Sequence, residues 1–301
     1  MAGQSLTDHQ SLPFIKMAEA VGSRTGGKFK INTTVEGELG INRDGFARAL
    51  NSGVLEGAFI ASGFGETTWP HQGVLNLPYL FSNTTEAAKG QAAIRPISER
   101  EYAKTGMFIL ADYVWVPQVM FLNKQIADPN KLEGLKVRGW TAIMLDWIKL
   151  AGGVPNNIPS GEVYVAIQRG LLDGGITGMA SALSGSWFEV APNMYPINFS
   201  YVLTDFVVSQ KAFNALPKEY QDILVDEGKN FTKTFADSLK TEDAAAAQTW
   251  TDKKGKIIPV TDAQYAALKT NAKGLWDGWL TKASPTAKEA LDAVKKALGL
   301  P

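Results

Sequence analysis

The chain has 301 residues, 45% hydrophobic and 20% charged, an ordinary globular composition with room for two modest domains. Its 30 basic and 30 acidic residues leave a formal net charge of +0, which removes the electrostatic case for binding nucleic acid or an anionic membrane. Without cysteine, neither a disulfide framework nor a thiolate metal site can form.

No apolar run approaches the ~18–20 residues of a membrane span. The opening MAGQSLTDHQ has neither the basic nor the apolar region of a signal peptide, leaving a cytosolic protein or a mature chain with a new start. Phe14, Met17, Ala18 and Val21 recur at helical spacing, predicting a helix opened near Pro13 and ended by Gly26–Gly27. KFKINTTV alternates Phe29, Ile31, Thr33 and Val35 as a strand. RDGFARALNSG predicts a short helix stopped by Gly53, VLEGAFIAS a strand, NLPYLFSN a loop, and residues 84–105 a helix. MFILADYVW and VPQVMFLNK predict strands split near Val116–Pro117.

After the strand GLKVR, a helix carries Met144, Trp147, Ile148 and Ala151 on one face and closes at Gly152–Gly153. VPNNIPS is extended; GEVYVAIQRG is a helix with Val163, Ile167 and Leu171 in register; LLDGGITG is a strand. Strands interleaved with helices predict α/β architecture. ALNSGVLEGAFI at Ala49–Ile60 repeats as AIQRGLLDGGIT at Ala166–Thr177, an offset of 117 residues. This is either the helix–glycine–strand junction common to α/β proteins or a sign of two lobes of similar topology. From Pro217 to about Lys254 only Gly228 interrupts a helical pattern, enough for one helix of about 55 Å across both lobes. KIIPV adds a short strand, and two helices follow, the last capped by Ser284 with Pro285 at its first position.

Signs of catalysis are missing. The two histidines, His9 and His71, lack metal-ligand spacing and a nucleophile context, and read as surface or loop residues. No phosphate-binding loop exists, and SGFGETT lacks the third glycine of a dinucleotide site. No pair of carboxylates is singled out. Catalytic residues, cofactor and metal are therefore all read as none. Aromatics stand near predicted strand ends instead: Phe64, Trp69, Trp115, Trp140 and Trp187, as core or as walls of an apolar pocket. In GLKVRGW, Arg138 ends a buried strand, where open α/β sheets bind ligands. Its planar fork matches a carboxylate, and spacing alone leaves a structural salt bridge equally open.

The segment DPNKLEGLKVRGWTAIMLDWIKLAGGVPNNIPSGEVYVAIQRGLLDGG resembles the core of the substrate-binding proteins of tripartite ATP-independent periplasmic (TRAP) transporters. Arg138, Pro155, Glu162, Tyr164, Ala166, Gln168, Gly170, Asp173 and Gly174 fit that pattern. TGGKFKI, GELG, NLPYLFSN and ALPKEYQDIL are similar to further family segments, in order along nearly the whole chain. The resemblance implies a two-lobed periplasmic binding protein fold with a long helix spanning both lobes. It would divide as 1–115, 116–210 (with strands crossing between lobes) and a helical 211–301 packing across both. The first strand usual in the family is missing from the opening residues.

The resemblance also implies the function: a periplasmic receptor, with its signal peptide removed, that binds a small organic acid and docks on the membrane subunits of a TRAP transporter. Arg138 occupies the position of the carboxylate salt bridge. Gln118 stands where some relatives have a second arginine, which favours a monocarboxylate such as pyroglutamate, a 2-oxo acid, a hydroxy acid or an aromatic acid. Ser160 and Thr177 are small polar positions of the same site; Trp140, Trp187 and Phe64 are its walls. The reading is of a monomer without nucleic-acid partners. The alternative is an enzyme acting on a small organic acid with the same bilobal scaffold.

Overall fold

The computed structural model describes residues 11–34, 38–41 and 45–300, with residues 238–243 described as backbone only. His9 and Val35 lie outside these residues. Helix α1 (Leu12–Arg24) has proline in its first turn and buries Phe14, Met17 and Val21. It ends where Gly26 and Gly27 take φ of 60° and 76°, a left-handed exit that glycine adopts without strain. The strand predicted next is not formed: the described residues 28–34 join no sheet. Phe29 and Ile31 still pack against the first core, so alternation reported burial correctly. A ladder also needs a neighbour, and none of the described strands lies beside this segment.

Two sheets follow. Helix α2 (Phe46–Asn51) leads to β1 (Gly57–Ala61), the short helix α3 (Ser62–Gly65), a 3₁₀ turn at Pro70–Asn76, and α4 (Thr84–Ala103). Next come β2 (Met107–Pro117), β3 (Val119–Leu122), β4 (Lys136–Arg138), α5 (Ala142–Leu150) and β5 (Val154–Asn156). After α6 (Val163–Gln168) and β6 (Gly174–Thr177) come α7 (Met179–Ser184), α8 (Trp187–Val190), β7 (Asn193–Tyr195), β8 (Tyr201–Ser209) and α9 (Gln210–Asn214). The first lobe holds the sheet β1-β8-β2, entirely antiparallel. The second lobe holds β5-β4-β6-β3-β7, extended by β9 (Lys256–Ile257), in mixed pairing. β8 returns to the first sheet although its residues fall within the tract 116–210.

The repeated sequence is a repeated structure. Leu55 and Leu172 both bond back through N–H to the carbonyls of Ala49 and Ala166, at 3.2 Å each. Gly53 and Gly170 take φ of 75° and 70°, and each donates to the carbonyl three residues earlier. The two junctions feed β1 and β6, which lie in different sheets, so the repeat marks corresponding positions of the two lobes. Leu171, predicted on the apolar helix face, lies beyond the helix end and is exposed; Leu172 is the residue that turns inward.

The long helix α10 (Lys218–Asp252) has 35 residues, about 52 Å. Phe231 and Phe235 join the first lobe's core with Tyr113 and Trp115, whereas Ala246 and Trp250 join the second lobe's core with Phe121 and Trp187. Helix α11 (Asp262–Lys282) repeats the bridge: Leu268 and Ala272 pack on the second lobe, and Trp276 and Trp279 on the first. Helix α12 (Pro285–Leu298) is capped by Ser284, which accepts from Ala287 N at 3.1 Å, and packs on α4. No helix among the described residues is long and apolar enough to cross a membrane.

Candidate functional site

One end of the second sheet gathers most of the predicted site. β4, β5 and β6 run parallel, so Arg138, Thr177 and the turn containing Ser160 all follow carboxyl ends. β3 runs the other way, with Val119 opposite Thr177, so its first residue and the preceding Gln118 reach the same end. Gln118 is also the crossing point between lobes. Its N–H donates to Ser200 O (2.8 Å) and its carbonyl accepts from Phe199 N (2.9 Å), which ties the β2–β3 passage to the β7–β8 passage.

Arg138 is buried, at 6% exposure. Its Nε donates to Ile158 O (3.2 Å) and its Nη1 to Ile176 O (3.4 Å), so two main-chain carbonyls orient the guanidinium. Gly175 stands opposite Arg138 in the parallel register. A Cβ there would lie 3.3 Å from Arg138 Cβ and 3.0 Å from the Trp187 ring, so glycine leaves the arginine its place. Alternation puts Val137, Met120 and Ile176 into one core and turns Arg138, Phe121 and Thr177 to the opposite face.

Trp140 links the two lobes. It is half-buried, and its ring stacks on Phe64 from α3 of the first lobe, with centroids 5.2 Å apart and planes at 28°. Its Nε1 donates to Gln118 Oε1 at 3.0 Å. Phe64, Trp140 and Gln118 are therefore one connected group. Gln118 and Thr177 are buried and Ser160 is half-buried. Trp187 stands apart. It is 1% exposed and packs edge-on against Phe121 at 5.8 Å, as core behind the arginine strand. Trp69 and Trp115 are core likewise.

His71 is also core, where a surface or loop position was predicted. The 3₁₀ turn that carries it packs beneath α12, and burial lowers its pKa to about 4. Nearby, Asp205 of β8 sits in a buried network. Its Oδ2 accepts from Tyr102 Oη (3.0 Å) and Gln72 Nε2 (3.1 Å), and its Oδ1 from Gln91 Nε2 (3.4 Å). Burial first, and the Asp112 charge second, push Asp205 up to about 6. Sequence reasoning missed this network, because its members come from three separate elements. It also missed Gly63, noticed only as part of an incomplete dinucleotide motif. Among the described residues no group of acids and histidines is placed to hold a metal.

The chain's relatives agree with this architecture. The ectoine-binding periplasmic protein TeaA of Halomonas elongata is 24% identical over 270 residues, which cover 87% of this chain and 79% of TeaA. The solved structure of DctP7, an extracytoplasmic solute receptor of Bordetella pertussis binding pyroglutamic acid, superposes with a TM-score of 0.90 at 20% identity, over 98% of this chain and 97% of that one. A TRAP periplasmic solute-binding protein of Xanthobacter autotrophicus with bound β-D-galacturonate gives 0.86 at 20% identity, over 98% and 99%. These likenesses establish the two-lobed fold. The pattern of bacterial extracellular solute-binding protein, family 7, matches residues 3–282. With nearly the whole chain inside that match, the protein belongs to family 7 of the bacterial extracellular solute-binding proteins and is an extracytoplasmic solute receptor of the TRAP type rather than an enzyme.

Proposed function

We propose that the receptor captures a small organic monocarboxylate between its lobes, with Arg138 holding the carboxylate, and delivers it as a monomer to the membrane subunits of a TRAP transporter. The observation that carries the reading is a buried arginine, oriented by two main-chain carbonyls, at the carboxyl end of a strand, two residues before the indole that meets the other lobe. Taking water out of the cleft strengthens a charge-assisted pair, and the guanidinium fork matches a carboxylate with two parallel bonds. Gln118 supplies a neutral hydrogen-bonding group where a second cation would favour a dianion. Ser160 and Thr177 add small polar contacts, and Trp140 with Phe64 covers the apolar face. Trp187 acts through packing behind Arg138. Pyroglutamic acid and galacturonate, named with two neighbouring structures, are both carboxylic acids.

We divide the lobes by sheet membership: β1, β2 and β8 with α1–α4 form the first lobe, and β3–β7 with β9 the second. Helices α10 and α11 join them, and α12 packs on the first. Binding stabilises the closed arrangement, and that arrangement is the one the membrane subunits would accept. A thermal-shift screen over pyroglutamate, uronates, 2-oxo acids, hydroxy acids and aromatic acids tests the reading, since a ligand of the native state raises its melting temperature. At least one monocarboxylate is expected to do so. The reading fails if only dicarboxylates or uncharged solutes do.

A further inference from the structure

Gly63 lies in α3 outside the positive-φ glycines, so its own backbone does not require glycine. The opposite lobe does. A Cβ at this position would lie 2.4 Å from Cζ3 and 3.0 Å from Cη2 of Trp140, and 2.7 Å from Cγ2 of Thr141. Atoms do not pack at such distances, so one of the three residues would have to move.

Neither neighbour can move cheaply. The Trp140 ring is held on its face by Phe64 and at its nitrogen by Gln118. Thr141 is 3% exposed and caps α5 by accepting from Met144 N at 3.3 Å. What can yield is the separation of the lobes, since Gly63 follows a strand of the first sheet and Trp140 and Thr141 follow a strand of the second.

We propose that Gly63 is the stop on which the two lobes close: its bare Cα lets Phe64 reach Trp140, and the seated indole in turn fixes the Gln118 amide. Gly63 is thus a positioning residue, acting through Trp140 on the ligand cleft. The inference rests on the proposed carboxylate cleft. An indole N–H only donates, so the Gln118 atom facing it is the oxygen, and its Nε2 is left as a donor. Closure therefore sets a defined donor at the sheet end that also carries the buried arginine. A side chain at position 63 leaves each lobe intact but depletes the closed population, and apparent affinity falls by the same factor.

The test uses the full chain with pyroglutamate, galacturonate and ectoine as probes, by calorimetry and small-angle X-ray scattering. Gly63→Ala is expected to weaken binding about tenfold or more. Its scattering profile should fail to contract at probe concentrations that contract the unaltered chain. Trp140→Phe together with Thr141→Ser removes the ring and methyl atoms that would collide, and serine keeps the hydroxyl that caps α5. Adding Gly63→Ala to that pair should therefore cost little beyond the pair alone, a rescue that a general packing defect would not show. Unchanged affinity and contraction for Gly63→Ala overturn the inference. So does an undiminished loss in the combined Gly63→Ala, Trp140→Phe, Thr141→Ser variant, or a lowered melting temperature of unligated Gly63→Ala, which would put the collision inside the open chain. If the unaltered chain binds none of the probes and no acid of the thermal-shift screen, it is the carboxylate reading that fails, and the closure stop falls with it.

Discussion

The indole nitrogen of Trp140 donates to Oε1 of Gln118 across 3.0 Å, joining the second residue after the arginine strand to the residue at which the chain crosses between lobes. The bond decides which end of the amide is available, because the indole cannot accept. Gln118→Glu keeps an oxygen for Trp140 but replaces the remaining donor with a charged acceptor. Placing a like charge beside a ligand anion costs several kcal/mol. Calorimetry should show carboxylate affinity falling roughly 30-fold or more at neutral pH. Equal affinity of the two forms would remove Gln118 from the site.

Arg138 offers a separate test of geometry against charge. Arg138→Lys keeps the cation and loses the fork that two carbonyls aim. Affinity should fall by about 2 kcal/mol or more with Arg138→Lys, and by about 2–5 kcal/mol with Arg138→Ala. Circular dichroism of both variants should match that of the unaltered chain. If lysine serves as well as arginine, a point charge suffices and the bidentate clamp is wrong.

Stability against pH is expected to be the balance of two buried groups. Asp205, raised to about 6 in the folded chain, stabilises most below its unfolded pKa near 3.9, and that contribution is lost as pH rises through about 6. His71, lowered to about 4, stabilises above about 6.5, and its contribution is lost as pH falls toward 4. Between pH 4 and 6 the two oppose each other, and their sum should be nearly flat. Asp205→Asn should expose the histidine slope, with the melting temperature falling on the order of 5 °C as pH drops from 6.5 to 4. His71→Leu should expose the opposite slope. Melting curves of the three chains across this window decide it.

Gly228 interrupts α10 where the helix crosses β2. A Cβ there would lie 2.5 Å from Leu110 O and 3.1 Å from Leu110 Cγ. Alanine gains about 1 kcal/mol of helix propensity, but overpacking against a strand backbone costs about 1–3 kcal/mol. Gly228→Ala should therefore lower the melting temperature by about 3 °C instead of raising it. A rise would mean that α10 moves freely over the sheet.

Much of this molecule is local, and local features were legible. Helix ends at Gly26, Gly53 and Gly170 follow from backbone freedom, and the cap at Ser284 from a hydroxyl that meets an unpaired N–H. The 117-residue repeat was visible because corresponding junctions demand the same glycine and the same buried leucine. Arg138 was legible as a residue because a cation at the end of an apolar strand is rare enough to notice, and its setting matched a family pattern. Of the strand expected over KFKINTTV, the described residues 28–34 join no sheet, since alternation encodes which side chains are buried but not whether they pair with a neighbouring strand. His71 was misjudged in the same way: its burial is decided by α12, distant in sequence.

What the amino-acid order determined by itself is the alternation of strands and helices, the two similar lobes, the long joining helix and the arginine at a strand end. These rest on periodicity, capping and turn chemistry, which act over a few residues. The tertiary structure alone decided that Phe64 meets Trp140, that Trp140 orients Gln118, and that Gly63 must lack a side chain. All three relationships are made by residues more than twenty apart in the chain, and those of Phe64 and Gly63 with Trp140 are contacts between lobes. Their existence depends on how close two separately folded sheets come, a distance that no local pattern encodes.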